Sequence, residues 1–178
     1  DKNIFLFSKQ IPYMQRSEKE TLKIIVAGLD NAGKTSMLTV LEKIYGFEEI
    51  VKFLKPTLGI NYTKREYFDK NIMYWDFGGQ KEFRAKYLSN ERYFADTEML
   101  YYLIDVQDEM RYTQSVDYLG EILKMLKKDT DTENLPIHVC FSKSDFAIIK
   151  DKAFDFPGKT AMIYKYFKKQ YPKLDQIG

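Results

Sequence analysis

Residues 28–35 read Gly28-Leu29-Asp30-Asn31-Ala32-Gly33-Lys34-Thr35, a G-x-x-x-x-G-K-T string with an apolar run before it and a helical pattern after it. The run Leu22-Lys23-Ile24-Ile25-Val26-Ala27 has the composition of a buried strand. From Lys34 to Tyr45, Met37, Leu38, Leu41 and Ile44 recur at helical spacing. Strand, glycine loop and helix in that order form a phosphate cradle. The glycines let the backbone curl so that successive N–H groups converge on an anion, and the helix N-terminus adds partial positive charge. Lys34 brings a point charge to the β/γ-phosphates, and the Thr35 hydroxyl is placed to ligate Mg2+. An ordinary glycine-rich turn would lack the strand before and the helix after.

Three later segments narrow the ligand. They are Pro56-Thr57-Leu58-Gly59, Trp75-Asp76-Phe77-Gly78-Gly79-Gln80 and Ser142-Lys143-Ser144-Asp145. Each falls where a parallel sheet delivers its strand ends, the edge at which such sheets bind ligands. Asp76 closes the strand Ile72-Met73-Tyr74-Trp75 and occupies a Walker B position, holding Mg2+ through water. The Gly78-Gly79 pair permits close backbone approach to a γ-phosphate, with the Gly79 N–H as donor. Gln80 stands where a side-chain amide orients an attacking water. Alone, D-x-G-G-Q is a turn before a helix; its order after the phosphate loop makes that reading insufficient. Asp145 suits guanine, because a carboxylate accepts from both N1–H and the exocyclic amine, whereas adenine offers no such donor pair. Lys143 would lie with its aliphatic stem along the base. S-K-S-D is weak by itself. Placed last in the series, after the apolar run Ile137–Phe141, it points to guanine.

On these residues the chain resembles a small GTPase of the Arf/Arl branch of the Ras superfamily. Asp30 within the loop and the Trp-Asp-x-Gly-Gly-Gln string are particular to that branch and its close relatives, and the nineteen positions from Thr57 to Asp76 match its short interswitch. The similarity runs from about Asn3 to the C-terminus. The resemblance implies an α/β fold, a P-loop NTPase G domain with a mostly parallel doubly wound sheet, one antiparallel edge strand and helices on both faces. It implies binding of GTP and GDP with Mg2+, and GTP hydrolysis that is slow without a GAP. The catalytic residues it implies are Gln80, Lys34 and Thr57. The nucleotide-binding set is Asp30, Asn31, Ala32, Gly33, Lys34, Thr35, Ser36, Thr57, Gly79, Ser142, Lys143 and Asp145, and the metal set is Thr35, Thr57 and, through water, Asp76. Thr57 and Gly79 would both touch the γ-phosphate, so its loss would release two loops together. A nucleotide exchange factor, a GAP and effector proteins are the implied partners. Heterotrimeric G-protein α subunits carry an arginine three residues before the switch threonine; here that position is Leu54. Neighbouring Lys52 and Lys55 cannot make the fork contact, so an arginine is expected in trans.

Two departures accompany the resemblance. Ser142 stands where the family has an Asn that ties the base loop to the phosphate loop, and nucleotide affinity is expected to suffer. A further strand with a Ser/Thr-Ala motif and a final helix would be expected after the helical stretch Thr160–Gln170, so residues 21–178 read as a G domain lacking its last strand and helix. A Rag-like nucleotide-gated dimerising scaffold with little hydrolysis is the alternative, though retained Gln80, Thr57 and Asp76 argue against lost catalysis. A P-loop kinase or ATPase would need lid arginines and an acceptor pocket, and neither is evident.

Size and composition fit one soluble-type globular domain: 178 residues, 44% hydrophobic and 30% charged. Net charge is +2, so nothing demands nucleic acid as a partner. The 13 Phe and 14 Tyr read as core rather than base-stacking residues. Cys140 is the only cysteine and suits a small core position in a reducing, cytoplasmic setting. The single His138 is assigned no chemistry. No run approaches the ~20 apolar residues of a membrane span, and no cleavable signal sequence is seen.

The remaining pattern reads βαββαβαβα. Strands are expected over Ile60–Tyr67 and Ile72–Asp76 with a hairpin turn at Asp69-Lys70-Asn71. A helix is expected over Glu82–Tyr93, a doubly buried central strand over Met99–Asp105, and a helix over Tyr112–Lys127 whose inner side carries Val116, Leu119, Ile122, Leu123 and Leu126. Lys128–Asn134 reads as a charged loop, and Pro157-Gly158 as a turn or helix start. Residues 1–20 form a separate amphipathic segment. Ile4, Phe7 and Ile11 share a helical face flanked by Phe5, with Lys2, Lys9 and Arg16 adding positive charge. Such a face either packs on the domain or lies in a bilayer interface, and Pro12 would end the helix early. The resemblance implies both in turn, giving reversible peripheral membrane association through residues 3–14. No acceptor glycine for myristoylation is visible after Asp1.

Overall fold

The computed structural model describes residues 20–42, 46–67, 70–127 and 135–171. The N-terminal amphipathic segment and the Lys128–Asn134 loop therefore lie outside the described residues. In chain order the elements are β1 (Thr21–Gly28), α1 (Lys34–Glu42), α2 (Phe47–Val51), β2 (Ile60–Tyr67), β3 (Lys70–Phe77), α3 (Lys81–Leu88), β4 (Thr97–Asp105), α4 (Tyr112–Leu126), β5 (Ile137–Ser142), α5 (Phe146–Lys150) and α6 (Phe156–Gln170).

The five strands lie in the order β2-β3-β1-β4-β5. β1 pairs in parallel with β3 and β4, and β4 with β5; β2 runs antiparallel along β3 at one edge. This is the mostly parallel sheet with one antiparallel edge strand that the resemblance implied. β1 and β4 read as continuous apolar runs because both their faces are covered. On one face Ile25, Ala27, Leu100, Tyr102 and Ile104 pack with Val116, Leu119, Ile122 and Leu126 of α4 and with Ile163 and Phe167 of α6. On the other, Ile24, Val26, Tyr74 and Leu103 pack with Leu38 of α1. Burying each such aliphatic side chain contributes about 1.5–3 kcal/mol. Every inner-face residue expected on α4 is buried.

Several boundaries differ from the sequence reading, each for a local reason. Lys70 and Asn71 are not turn residues: they belong to β3 and pair with Tyr67 and Glu66. The helix expected over Glu82–Tyr93 stops at Leu88, because the Asn90 side chain accepts from the Arg92 N–H and restarts the chain as a single 3-10 turn, Glu91–Tyr93. α6 begins at Phe156 rather than Thr160: Asp155 accepts from the Gly158 N–H, and Pro157 sits in the first turn, where its missing N–H costs nothing. The short helices α2 and α5 occupy stretches to which the sequence pattern assigns no helix. β5 is half-buried throughout rather than enclosed, since it is flanked by β4 on one side only among the described strands. Cys140 lies half-buried on it, its thiol pushed up by burial, and His138 stacks on Tyr101.

Trp75 is half-buried on β3. Lys23 Nζ stands 3.9 Å from its ring centroid, and the Tyr62 ring meets it edge-on at 4.7 Å. The same Nζ donates to the carbonyls of Tyr93 and Ala95, fastening β1 to the segment that enters β4.

Candidate functional site

The C-terminal ends of β1 and β3 and the loop before β2 meet at one cleft. Gly28 closes β1 at φ 145°, and a side chain there would put its Cβ 2.4 Å from the Leu103 carbonyl oxygen. Only glycine lets the chain leave β1 so close to β4. The loop that follows turns through Asn31 (φ 62°) and Gly33 (φ 80°) into α1.

Lys34 is 5% exposed, and its Nζ donates to the carbonyls of Gly28 (3.1 Å) and Leu29 (2.7 Å). Burial lowers its pKa to about 8, against the opposing pull of Asp76 and Asp30. Thr35 Oγ1 donates to Asp76 Oδ2 at 2.6 Å, and Thr57 Oγ1 donates to the same oxygen at 3.2 Å. The two hydroxyl oxygens are 2.9 Å apart. Asp76 is fully buried. Burial raises its pKa, while the hydrogen bond from Thr35, the Lys34 charge and the hydrogen bond from Thr57 oppose the rise. Its second oxygen, Oδ1, is buried with no hydrogen-bond partner among the described residues. Three hard oxygen donors from three chain segments, one of them with an unsatisfied buried lone pair, fit a divalent cation such as Mg2+ and its water.

The cleft measures about 430 Å3 and is lined by Asp30, Asn31, Gly33, Lys34, Thr35, Ser36, Thr57, Gly79 and Gln80, together with Val51, Leu54, Lys55 and Pro56. Most residues expected to meet a triphosphate are thus brought together. Ala32 is placed differently: its side chain enters the hydrophobic core, and its N–H donates to the Leu29 carbonyl at 3.3 Å. Gly78 and Gly79 are packed against backbone. A Cβ on Gly79 would lie 2.2 Å from the Asp30 nitrogen, and one on Gly78 would lie 2.5 Å from the Thr57 carbonyl oxygen.

The base-loop residues stand beside the cleft rather than on its lining. Ser142 Oγ donates to the Ile104 carbonyl at 3.2 Å, so it bonds within the sheet rather than to the phosphate loop. Lys143 takes a left-handed conformation (φ 56°), its Nζ pairs with Asp105 Oδ2 at 2.7 Å, and its carbonyl accepts from Gln107 Nε2. Asp145 is exposed and precedes α5, where its carbonyl accepts the N–H groups of Ile148 and Ile149.

One contact was invisible in the sequence. Arg111, in the 3-10 turn before α4, places Nη1 3.0 Å from Asp30 Oδ1 and Nη2 3.4 Å from the Asp30 carbonyl oxygen, while Nε and Nη2 hold Asp108. Arg111 and Asp30 are 81 positions apart and share no motif, so no spacing rule links them.

Sheet order, glycine loop and the oxygen cluster together define a G domain of the small-GTPase class. A family model described as "Arf: ADP-ribosylation factor family" matches residues 7–153. The chain belongs to that family. It is 35% identical over 132 residues to ADP-ribosylation factor-like protein 3 of Chlamydomonas reinhardtii, covering 74% of this chain and 67% of that protein. It is 33% identical over 132 residues to ADP-ribosylation factor-like protein 2 of Drosophila melanogaster, covering 74% and 65%. The chain spans about two thirds of the length of these curated relatives. The structure of the Arl6 BBS3 small GTPase from Trypanosoma brucei, with bound nucleotide analogue GppNp, shares the fold at TM-score 0.64 and 19% identity, covering 88% of this chain and 82% of that one. No helix among the described residues is long and apolar enough to cross a membrane.

Proposed function

We propose that this chain is a guanine-nucleotide switch that binds GTP and GDP in the cleft and hydrolyses GTP. The observation that carries the reading is the convergence of Thr35, Thr57 and Asp76 oxygens beside Lys34, on a cleft also lined by Gly79 and Gln80. Thr35 and Thr57, with Asp76 through water, would hold Mg2+, which would supply positive charge to the phosphate oxygens when bound. Lys34 adds the protein's own cation. Its two carbonyl partners are the kind a phosphate oxygen can replace, because a lysine ammonium has three rotatable donors. Gly79 offers its N–H at the γ-phosphate, and Gln80 orients the attacking water. The absence of a side chain lets Gly79 sit against the phosphate loop and Gly78 against the Thr57–Gly59 segment, so one phosphate group governs both loops. Lys143 and Asp145 form the guanine site.

Turnover is slow without a partner, since Leu54 occupies the position of an internal arginine and a GAP must supply one. An exchange factor and effectors complete the cycle. Residues 1–20 form a separate amphipathic segment ahead of a G domain over 21–178, and residues 3–14 give reversible membrane association. Titration calorimetry of the full chain in magnesium buffer tests the reading. GDP and a non-hydrolysable GTP analogue release binding heat and ATP does not, and single-turnover assays release phosphate from GTP. Absence of binding heat with both guanine nucleotides would overturn the proposal.

A further inference from the structure

Asp30 is held at both poles of its backbone. Its N–H donates to the Gly79 carbonyl at 3.1 Å. Its carbonyl oxygen faces Arg111 Nη2 at 3.4 Å, and its carboxylate meets Nη1 of the same guanidinium at 3.0 Å. The peptide that follows joins Asp30 to Asn31. No cis peptide bond occurs among the described residues, and in a planar trans peptide the carbonyl oxygen and the amide hydrogen point in opposite directions. A carbonyl turned toward Arg111 therefore turns the Asn31 N–H away from Arg111, and Asn31 is among the residues that line the cleft. Asn31 itself is left-handed (φ 62°), a conformation that costs an L-residue energy and needs support from its surroundings.

We propose that Arg111 is a positioning residue for the phosphate loop, fixing the direction in which the Asn31 N–H is presented to a nucleotide phosphate. The inference rests on the nucleotide-binding reading above. An isolated ion pair between half-exposed side chains contributes little, on the order of 0–1 kcal/mol, so charge alone would make Arg111 ordinary. The arrangement differs in two ways. The planar fork reaches a carboxylate and a backbone carbonyl of one residue, and Asp108 holds the guanidinium from behind. A lysine has no such fork. The contact also compensates locally for Ser142, whose hydroxyl bonds to the Ile104 carbonyl in the sheet. The phosphate loop is thus braced from the turn before α4.

The test compares the full chain with Arg111→Ala and Arg111→Lys by stopped-flow release of fluorescently labelled GDP in magnesium buffer. It also follows the Asn31 amide resonance of the GDP complex and the melting midpoint of nucleotide-free protein. Arg111→Ala is expected to speed release about tenfold, the loss of one charge-assisted hydrogen bond, with Arg111→Lys recovering little of it. The Asn31 amide shifts in both variants while the nucleotide-free midpoint stays at the parent value. Release within about twofold of the parent, with the Asn31 amide unmoved, overturns the proposal. If Arg111→Ala does not fold, Arg111→Lys decides by the same two readouts. Failure of the parent itself to bind labelled GDP overturns the nucleotide reading instead, and that result appears before any variant is compared.

Discussion

The backbone N–H of Asp30 donates to the carbonyl oxygen of Gly79 across 3.1 Å. That bond joins the phosphate loop to the segment carrying Gln80 without any side chain between them. Replacing Gly79 with alanine would set a Cβ 2.2 Å from the Asp30 nitrogen and 2.2 Å from the Leu29 carbonyl carbon, both backbone atoms. One of the two segments must then move. Gly79→Ala is expected to weaken a GTP analogue about tenfold more than GDP, because the segment meeting the outermost phosphate is the one displaced. Calorimetric titration of both ligands measures the ratio, and an unchanged ratio would show that the packing carries no information about the γ-phosphate.

Gln80 lines the cleft at the entrance to α3. Gln80→Leu keeps the bulk and removes the amide. Single-turnover hydrolysis is expected to fall on the order of tenfold or more, with GDP affinity unchanged. Hydrolysis at the parent rate would remove Gln80 from the mechanism.

Lys34, with its pKa lowered to about 8 by burial, gives opposite pH trends in two measurements. Between about 8 and the ordinary lysine value near 10.5 the unfolded chain holds more protons than the folded one, so nucleotide-free stability contributed by this group rises with pH. Phosphate binding needs the charged form, so GDP affinity falls as pH rises through about 8, and binding there takes up a proton. Calorimetry in buffers of different ionisation heat reads the uptake directly. Lys34→Met abolishes it. Proton-neutral binding at pH 9 would refute the assignment.

Two buried tyrosines make a matched stability test. The Tyr102 hydroxyl donates to the Ser115 carbonyl at 2.7 Å and is fully buried. The Tyr118 hydroxyl is buried with no hydrogen-bond partner among the described residues. Tyr102→Phe is expected to cost about 1 kcal/mol, lowering the melting midpoint by roughly 2–4 °C. Tyr118→Phe is expected to be neutral or stabilising, since it removes an unpaired buried polar group. Equal losses from the two substitutions, measured by thermal unfolding, would contradict this account.

Ser142 stands next to the phosphate loop, where a Cβ added to Gly33 would come 3.9 Å from the Ser142 Cβ. Ser142→Asn extends an amide into that space. GDP release is expected to slow several-fold, by about 1 kcal/mol, the contribution of one added hydrogen bond. Release no slower than in the parent would show that the loop is already fully braced.

The sequence announced the parts of this molecule that depend on local order. The glycine loop, the carboxylate closing β3 and the glycine pair are short strings whose chemistry needs adjacent residues, so their spacing is readable. The doubly covered β4 was legible because burial on both faces leaves an unbroken apolar run. What escaped reading was set by distant or very short interactions. α2 and α5 have five residues each, too few to show a helical period. The stop at Leu88 depends on one Asn90 side chain, and the grip of Arg111 on Asp30 joins residues that only the parallel sheet brings together. The half-exposure of β5 reflects its place in the strand order, which an apolar run does not encode.

Trp75 is the only indole in 178 residues. Its immediate surroundings, a β1 ammonium and a β2 phenol ring, come from strands on either side of its own. Light absorbed at the red edge of the protein spectrum therefore addresses a single emitter one residue from Asp76. Any slippage of β2 or β1 against β3 would alter that emitter's local field, so the protein carries a label-free optical gauge of its own sheet.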